Sequence, residues 1–294
     1  MDRKVLKTSD APIAEPRLPV LQLPPGSCDS HVHVFGPFDS YPLPDDRSFN
    51  PALAPEAALR EWHTRFGFER SVIVQSQGHG FDHRPMLDAL KAGAGRYKGV
   101  ALVRENDSDE TIARYDAAGV CGARFNFLPH LGGKPDLEMI RAVATRIKAF
   151  DWHLAIHVAG NDIIEYAPFI RSLELPIVID HMARPNIDDG PDGAATSALR
   201  QLIDSGRVWV KLSGADRLSK GGAPFHDALP IARSLAAHAP RRVLWGSDWP
   251  HVNLHGPMPD DGDLTDLIAE MIPGEAERKL LLVDNPAEFF GFAS

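Results

Sequence analysis

The feature that most constrains the fold is a regular alternation of short β-rich runs and longer helical segments. From Gly26 onward, eight runs rich in β-branched and aromatic residues are each followed by a stretch of helical periodicity. Strands separated in this way form right-handed βαβ units with parallel strands, and eight units predict an α/β fold closed into a TIM-type (β/α)8 barrel. The predicted strands are 28–34, 71–77, 99–103, 122–127, 153–158, 177–180, 208–212 and 242–245. The predicted helices are 54–66, 85–94, 107–118, 137–150, 163–173, 195–205, 225–237 and 264–271.

The two ends of the chain depart from this alternation. Residues 1–25 are rich in proline and charge, and we expect an irregular N-terminal arm ahead of a single barrel domain over 26–294. A short helix near 275–282 is expected to pack against the barrel base, with 285–292 as a tail. A doubly wound open sheet is the structural alternative, but its glycine-rich phosphate turn does not follow the first strand.

Composition narrows the classes of partner. The net charge of −9 argues against a nucleic-acid ligand, although local arginines can still bind a small anion. Two cysteines cannot form a disulfide framework, and we find neither a signal peptide nor an apolar run of about 18 residues that could span a bilayer. We therefore expect a cytoplasmic protein without a membrane or nucleic-acid partner. Self-association into a homo-oligomer is left open.

Histidines and an aspartate stand at the ends of the predicted strands. Strand one ends in His31-Val32-His33, strand five at His157 and strand eight at Asp248. Side chains two apart share one face of a strand, so His31 and His33 should point together into the barrel mouth, where such barrels carry their chemistry. Three imidazole nitrogens and one carboxylate suit a single divalent ion, zinc above all. We therefore predict a metal centre on His31, His33, His157 and Asp248.

Two of the strand-end residues are predicted to be catalytic. A metal lowers the pKa of a bound water to about 7, and Asp248 could carry the water's proton to the leaving oxygen. His181, at the end of strand six, would orient the water. A single histidine in a half-apolar run is usually a packing residue. The joint occurrence of these groups at four strand ends is what favours an active site.

Arginines form the second signal. Arg124, Arg184 and Arg217 fall at or just after the ends of strands four, six and seven. Arginine binds carboxylate or sulfonate groups through a planar fork of donors, so three of them around one mouth favour an anionic substrate. Salt bridges between loops are the alternative. Further substrate-binding candidates in the same loops are His130, His251 and Asn253.

Several segments resemble the amidohydrolase superfamily, and within it the 2-pyrone-4,6-dicarboxylate hydrolases and 4-sulfomuconolactone hydrolases. The resemblance runs from about Pro25 to the C-terminus. It is carried by Cys28-Asp29-Ser30-His31-Val32-His33, Arg124-Phe125-Asn126-Phe127, Ile179-Asp180-His181-Met182 and Trp245-Gly246-Ser247-Asp248-Trp249-Pro250-His251. It implies a lactonase of aromatic-compound catabolism, with Asp248 as general acid and base and with Arg124 and Arg217 on the substrate's anionic groups.

Two positions depart from the pyrone hydrolases, which work without a metal. Where they carry tyrosine this chain has His157, and where they carry a substrate-binding arginine it has His130. A neutral histidine offers a lone pair for zinc, while tyrosine is a poor ligand. The resemblance with these departures implies metal-dependent hydrolysis of 4-sulfomuconolactone to maleylacetate and sulfite.

Other activities stay open at this stage. A 2-pyrone-4,6-dicarboxylate lactonase without metal and a metal-dependent decarboxylase of the same superfamily are the main alternatives. A lactone isomerase would move a proton instead of adding water. A non-catalytic anion-binding barrel is disfavoured because so many ionisable groups converge at strand ends.

Overall fold

The computed structural model describes residues 6–128, 136–254 and 256–292. Eight parallel strands pair in chain order from β1 to β8 and alternate with helices, which confirms the predicted (β/α)8 barrel. The strands are β1 Cys28–Val32, β2 Arg70–Val74, β3 Tyr97–Ala101, β4 Val120–Asn126, β5 His153–His157, β6 Ile177–Ile179, β7 Val208–Lys211 and β8 Val243–Leu244.

The helices lie between the strands and after the last one. They are α1 Glu56–Phe66, α2 Arg84–Gly93, α3 Asp109–Ala117, α4 Leu137–Ile147, α5 Asp162–Ser172, α6 Ala194–Ile203, α7 Ala215–Leu218, α8 Leu229–His238, α9 Asp261–Met271, α10 Glu275–Lys279 and α11 Asn285–Phe290. No helix in the described part of the chain is both long and apolar enough to cross a bilayer.

The first and last strands close the barrel. The amide of Ser30 donates to the carbonyl of Trp245 at 2.9 Å, and the amide of His33 donates to Trp249 at 2.8 Å. The amide of Asp248 in turn donates to the carbonyl of His31 at 2.9 Å. These bonds place the end of β8 beside the histidines of β1, although the two belong to opposite ends of the chain.

A β-bulge in β1 determines where its polar side chains point. The register between β1 and β2 shifts between Asp29 and Val32. An extra residue in a strand reverses the alternation of faces. Asp29 accordingly lies near His63 of α1, at 3.7 Å, and accepts hydrogen bonds from Ser247, whereas His31 and His33 point into the mouth.

The barrel interior has an apolar lower layer, which we call the floor. Its members are Cys28, Val72, Val74, Val100, Ala155, Val178, Trp209, Leu244, Phe290 and Phe292. Burial of these side chains and of the larger shell between strands and helices supplies the main driving force for folding. Above the floor the interior becomes polar, since the same strands end in charged and imidazole side chains.

The C-terminal segment corrects one prediction. Residues 285–292 were expected to be a tail, but Asn285–Phe290 forms α11 beneath the barrel. The Asn285 amide donates to the carbonyls of Pro240 and Val243 at 2.9 and 2.7 Å, and Phe289 lies 4.9 Å from the Trp209 ring. The apolar side chains of this helix pack against the floor, which is why the segment is ordered.

The N-terminal segment lies along α9. Residues 6–25 contain no helix, and Arg17 pairs with Asp263 and Asp266 at 2.7 Å. The amide of Leu21 also donates to Asp266 at 2.8 Å. Ile13 reaches the wall of the cavity at the barrel mouth. The arm therefore contributes to the surroundings of the site.

Candidate active site

A cavity of about 550 Å³ opens at the C-terminal ends of the strands. This is the end at which barrels of this kind carry out their chemistry. Six ionisable residues of its wall come from the ends of six strands or the loops after them: His33, Arg124, His157, His181, Arg217 and Asp248. The structure thus brings most of the predicted site residues around one space.

Three of the four predicted metal ligands form a compact buried group. Ligand atoms of His31, His33 and Asp248 all lie within 4.8 Å of one another. The Oδ1 atom of Asp248 is 3.6 Å from Nε2 of His31 and 3.4 Å from Nε2 of His33. The two imidazole rings meet edge to face, with centroids 5.1 Å apart, as expected for side chains that point the same way.

The hydrogen bonding of His33 shows that this group fits a cation. Nδ1 of His33 lies 2.7 Å from the carbonyl of Val74, which can only accept, so Nδ1 carries the proton. In the neutral ring Nε2 is then an acceptor that faces Asp248 Oδ1, another acceptor. Nε2 of His31 is buried and has no hydrogen-bond partner among the described residues. A cation between these three atoms would satisfy all of them.

Asp248 is held as a carboxylate. Burial raises its pKa, but Arg217 and His181 outweigh that effect and hold the pKa well below its usual range. Nε and Nη2 of Arg217 lie 2.7 and 2.6 Å from Asp248 Oδ2. One carboxylate oxygen therefore faces the histidines while the other is bound by arginine. Arg217 also lines the cavity, and its predicted contact with substrate stays a prediction.

His181 stands on an unusual backbone segment. The four residues His181–Arg184 all have positive φ angles between 43° and 55°, a conformation that costs L-residues free energy. Nδ1 of His181 lies 2.9 Å from Ser213 Oγ, and a Cβ on Gly214 would come within 2.9 Å of the His181 Cβ. The ring consequently sits over the cavity, with Nε2 3.9 Å from Asp248 Oδ2.

His157 lies at the cavity wall but outside the compact group. Its Nδ1 is 3.0 Å from Nη2 of Arg124 and 3.1 Å from Oδ1 of Asn126. Burial and the nearby Arg124 hold the pKa of His157 well below its ordinary value. A guanidinium only donates, so the Arg124 contact favours a proton on Nε2, whereas the Asn126 oxygen only accepts and favours a proton on Nδ1. The role of His157 as fourth ligand stays a prediction.

Arg124 and Arg184 differ in how many of their N–H groups already have a hydrogen-bond partner. Arg124 donates from Nε to Asp180 at 3.1 Å. Arg184 lines the cavity, and its Nε is buried with no partner among the described residues. Burial and the nearby Arg217 lower the pKa of Arg184 to about 10. Among the three arginines, Arg184 therefore has the most N–H donors without a partner in the described part of the chain.

The remaining residues that were predicted to bind substrate differ in whether they line the cavity. Asn253 lines the cavity, and its backbone N–H donates to Ser9 Oγ at 3.1 Å. His251 does not line it, because Nε2 of its buried ring pairs with Asp261 on α9 at 2.9 Å. His130 lies outside the described residues. Substrate contact by these residues stays a prediction.

Sequence reasoning gave no role to three buried charged residues at the mouth. Lys211 and Asp180 lie beneath His31 with fully buried side chains. Asp216 lines the cavity, neither carboxylate oxygen has a partner among the described residues, and burial raises its pKa. A lysine directly between the apolar run Val208-Trp209-Val210 and Leu212 was the available signal, since a buried strand position is an expensive place for a charge.

Comparisons with known proteins agree with this architecture. A family model described as amidohydrolase matches residues 28–292. A 2-pyrone-4,6-dicarboxylate hydrolase from Comamonas testosteroni is 37% identical over 286 residues, which are 94% of each chain. A 4-sulfomuconolactone hydrolase from Hydrogenophaga intermedia is 36% identical, with 92% of this chain and 90% of the relative covered. A crystal structure from Agrobacterium tumefaciens has a TM-score of 0.83 at 30% identity, with 94% of this chain and 99% of that one covered.

The match to the family model spans the whole barrel from β1 to α11, and the two relatives extend along nearly all of it. The strand-end residues that build the cavity lie inside the matched region. The chain therefore belongs to the amidohydrolase family, in the branch of the 2-pyrone-4,6-dicarboxylate and 4-sulfomuconolactone hydrolases.

Proposed function

We propose that this enzyme hydrolyses a small unsaturated lactone that carries anionic groups, with 4-sulfomuconolactone as its substrate. Cleavage of a carboxylic ester bond agrees with the family and with both relatives. The single observation that carries the proposal is the buried group of His31, His33 and Asp248 beside a cavity lined by Arg184, whose Nε has no hydrogen-bond partner among the described residues. The group supplies hydrolytic machinery, and the arginine supplies recognition of an anion.

The metal site of the proposal rests on the donor set. His31, His33 and Asp248 would hold one divalent ion, for which zinc suits the imidazole-rich ligands. A bound ion would polarise the lactone carbonyl and lower the pKa of water. His157 would then donate from Nε2 to the substrate, as its contact with Arg124 favours.

Asp248 is assigned the proton transfers. Its lowered pKa keeps it ionised at neutral pH, so it can accept a proton from the attacking water. The same carboxyl group then returns the proton to the ring oxygen as the C–O bond breaks. Arg217 orients the carboxylate through Oδ2 and prevents it from turning away.

His181 is assigned to the developing oxyanion. If Ser213 donates its hydroxyl proton to Nδ1, the neutral ring carries a proton on Nε2, which faces the cavity. A donor fixed in advance at this place stabilises negative charge on the carbonyl oxygen, a large term in acyl transfer. The left-handed backbone of His181–Arg184 holds this donor and Arg184 on the same rim.

The arginines at the mouth support the choice of an anionic substrate. Arg184 and the remaining capacity of Arg124 would bind the carboxylate and sulfonate of the lactone. Ring opening adds one water and leaves a hydroxyl on the carbon that bears the sulfonate. That carbon becomes a ketone when it expels sulfite, and the product is maleylacetate.

The test combines substrate turnover with metal analysis. Purified enzyme is assayed on 4-sulfomuconolactone and on 2-pyrone-4,6-dicarboxylate, with sulfite release and the mass gain of one water as readouts. We expect turnover of the sulfonated lactone, about one divalent ion per chain, and loss of activity when the ion is removed. Turnover of the pyrone alone, or full activity without metal, would contradict the proposal. A product of unchanged mass would identify an isomerase, and release of CO2 a decarboxylase.

A further inference from the structure

Three buried groups meet beneath the proposed metal site. Nζ of Lys211 lies 3.0 Å from Nδ1 of His31 and 3.1 Å from Oδ1 of Asp180. Nδ1 of His31 is in turn 3.3 Å from the same Asp180 oxygen. The side chains of all three have no solvent exposure. Both Lys211 and Asp180 are therefore candidates for control of the His31 ring.

The hydrogen bond from Lys211 specifies one form of the imidazole. An ammonium group has only donors, so Nδ1 of His31 is the acceptor in this contact. A neutral ring that accepts at Nδ1 carries its proton at Nε2. Nε2 is the atom that faces Asp248, and in this form it has no lone pair to offer a metal.

The surroundings of His31 can also stabilise the opposite tautomer, with the proton on Nδ1. Two buried atoms around this ring have no hydrogen bond among the described residues, namely Nε2 of His31 and Oδ1 of Asp180, although Oδ1 forms an ion pair with Lys211. With the proton on Nδ1, the ring can donate to that Asp180 oxygen. Nε2 then presents its lone pair to the cation site. One change of tautomer thus gives both atoms a further partner when a cation is present.

We propose that Lys211 and Asp180 compete for Nδ1 of His31 and thereby set the affinity of the site for a divalent cation. Lys211 holds His31 in the form that cannot bind, and Asp180 stabilises the form that can. Both are positioning residues, since they act through His31. The inference rests on the metal site of the proposed function and adds how this chain controls that site.

Asp180 is well placed for this role because its second oxygen is occupied separately. Oδ2 accepts from Nε of Arg124 at 3.1 Å, so the carboxylate stays anchored whichever group Oδ1 engages. Lys211 can remain beside Oδ1 in both forms, and its charge is not left without a partner. The exchange therefore needs no movement of the backbone.

The first experiment is a zinc titration of metal-free protein with two variants of opposite expected effect. Lys211→Met removes the donor that selects Nε2–H, and we expect zinc to bind about tenfold or more tightly. Asp180→Asn weakens the acceptor for Nδ1–H, and we expect binding weaker by about the same factor. Weaker binding in both variants, as a merely structural role would give, would overturn the proposal.

A matched control separates hydrogen bonding from plain charge. Lys220→Met also removes a cation from the cavity wall, but Lys220 is exposed, pairs with Asp188 and has no hydrogen bond to a proposed ligand in the described structure. We expect its zinc affinity to stay within about twofold of the unmodified enzyme. Tightening equal to that of Lys211→Met would show that net charge explains the effect.

The second experiment reads the tautomer without metal or substrate. Nitrogen-15 NMR of labelled histidine, with His31→Gln for assignment, should show His31 protonated at Nε2 in the unmodified enzyme and at Nδ1 in Lys211→Met. A His31 protonated at Nδ1 in the unmodified enzyme would overturn the proposal, even if the variant did not fold. Lactone turnover is measured separately, so a wrong substrate and a wrong role for Lys211 give different results.

Discussion

Strand β5 carries a buried histidine at each end, and the two have very different surroundings. His153 begins the strand at the floor, and His157 ends it at the mouth. Both rings are buried, burial is the largest cause that lowers the pKa of each, and Nε2 of each lacks a hydrogen-bond partner among the described residues. By residue type, burial and protonation they are nearly equivalent.

Their neighbours separate them. His153 lies 4.8 and 5.4 Å from the rings of Phe289 and Phe290, and it does not line the cavity at the mouth. His157 contacts the guanidinium of Arg124 and lines the 550 Å³ cavity. A lowered histidine pKa therefore reflects burial alone at the floor. At the mouth it accompanies the candidate active site. Only the convergence of polar groups on an open space distinguishes the two.

The largest expected effect is at the mouth, from Asp248→Asn. The amide cannot accept a proton from water, so kcat should fall by roughly 10³-fold. Circular dichroism and a thermal melt would check that the barrel is intact. A variant with near-normal kcat would show that Asp248 is not a catalytic residue. The mouth would then have no more support as an active site than the floor has.

The paired variants His157→Leu and His153→Leu test the comparison itself. We expect kcat/KM to fall by about 10²-fold for the first, because a donor to the substrate is lost. The second should change kcat/KM by less than about twofold and the free energy of unfolding by about 1 kcal/mol or less.

Elemental analysis of the same pair sharpens the assignment of His157. Zinc content should be retained in His157→Leu if the residue only donates a hydrogen bond. Loss of zinc from this variant alone would instead make His157 the fourth ligand. Equal losses of activity in both variants would mean that the floor matters to catalysis as much as the mouth.

A smaller effect is expected from His251, a buried histidine whose pKa shifts the other way. Burial lowers its pKa, but Asp261 and the nearby Asp216 outweigh burial, so the net shift is upward. The protonated form then stabilises the fold at low pH. This contribution is complete below the ordinary pKa of about 6.5 and is lost as pH rises through the raised value.

The measurement is the melting temperature of His251→Gln against that of the unmodified enzyme at two pH values. The variant should be less stable at about pH 6, and the difference should shrink by about pH 9. A difference that is constant with pH would show that the contact with Asp261 stabilises the fold through packing or a neutral hydrogen bond.

Strand membership was readable from the sequence because it depends on local pattern. The eight β-rich runs, the pair His31 and His33, and the place of Asp248 after the last strand all follow from periodicity and order along the chain. The partners of each group were not readable. The pairing of Arg217 with Asp248 depends on how the segments after β7 and β8 lie relative to each other. No local sequence pattern indicates that arrangement.

The other features that the sequence did not predict have similar physical explanations. Lys211 was missed because its contact with His31 spans 180 positions of sequence. The bulge in β1 reverses the face of Asp29 relative to simple alternation. The segment that forms α11 is short and lacks a strong helical period of its own, so the floor it packs against stabilises it.

The hydrogen bonds between Ser247 and Asp29 have a consequence for the order in which the molecule assembles. They join residues 218 positions apart, at the two edges of the sheet that meet to close the barrel. Contacts of such long range form late in folding, because the loop they close is nearly the whole chain. His31, His33 and Asp248 therefore come together only when the eighth strand docks. A partly synthesised or partly folded chain has no such site, so capture of a divalent ion by this set of residues would report a completed barrel.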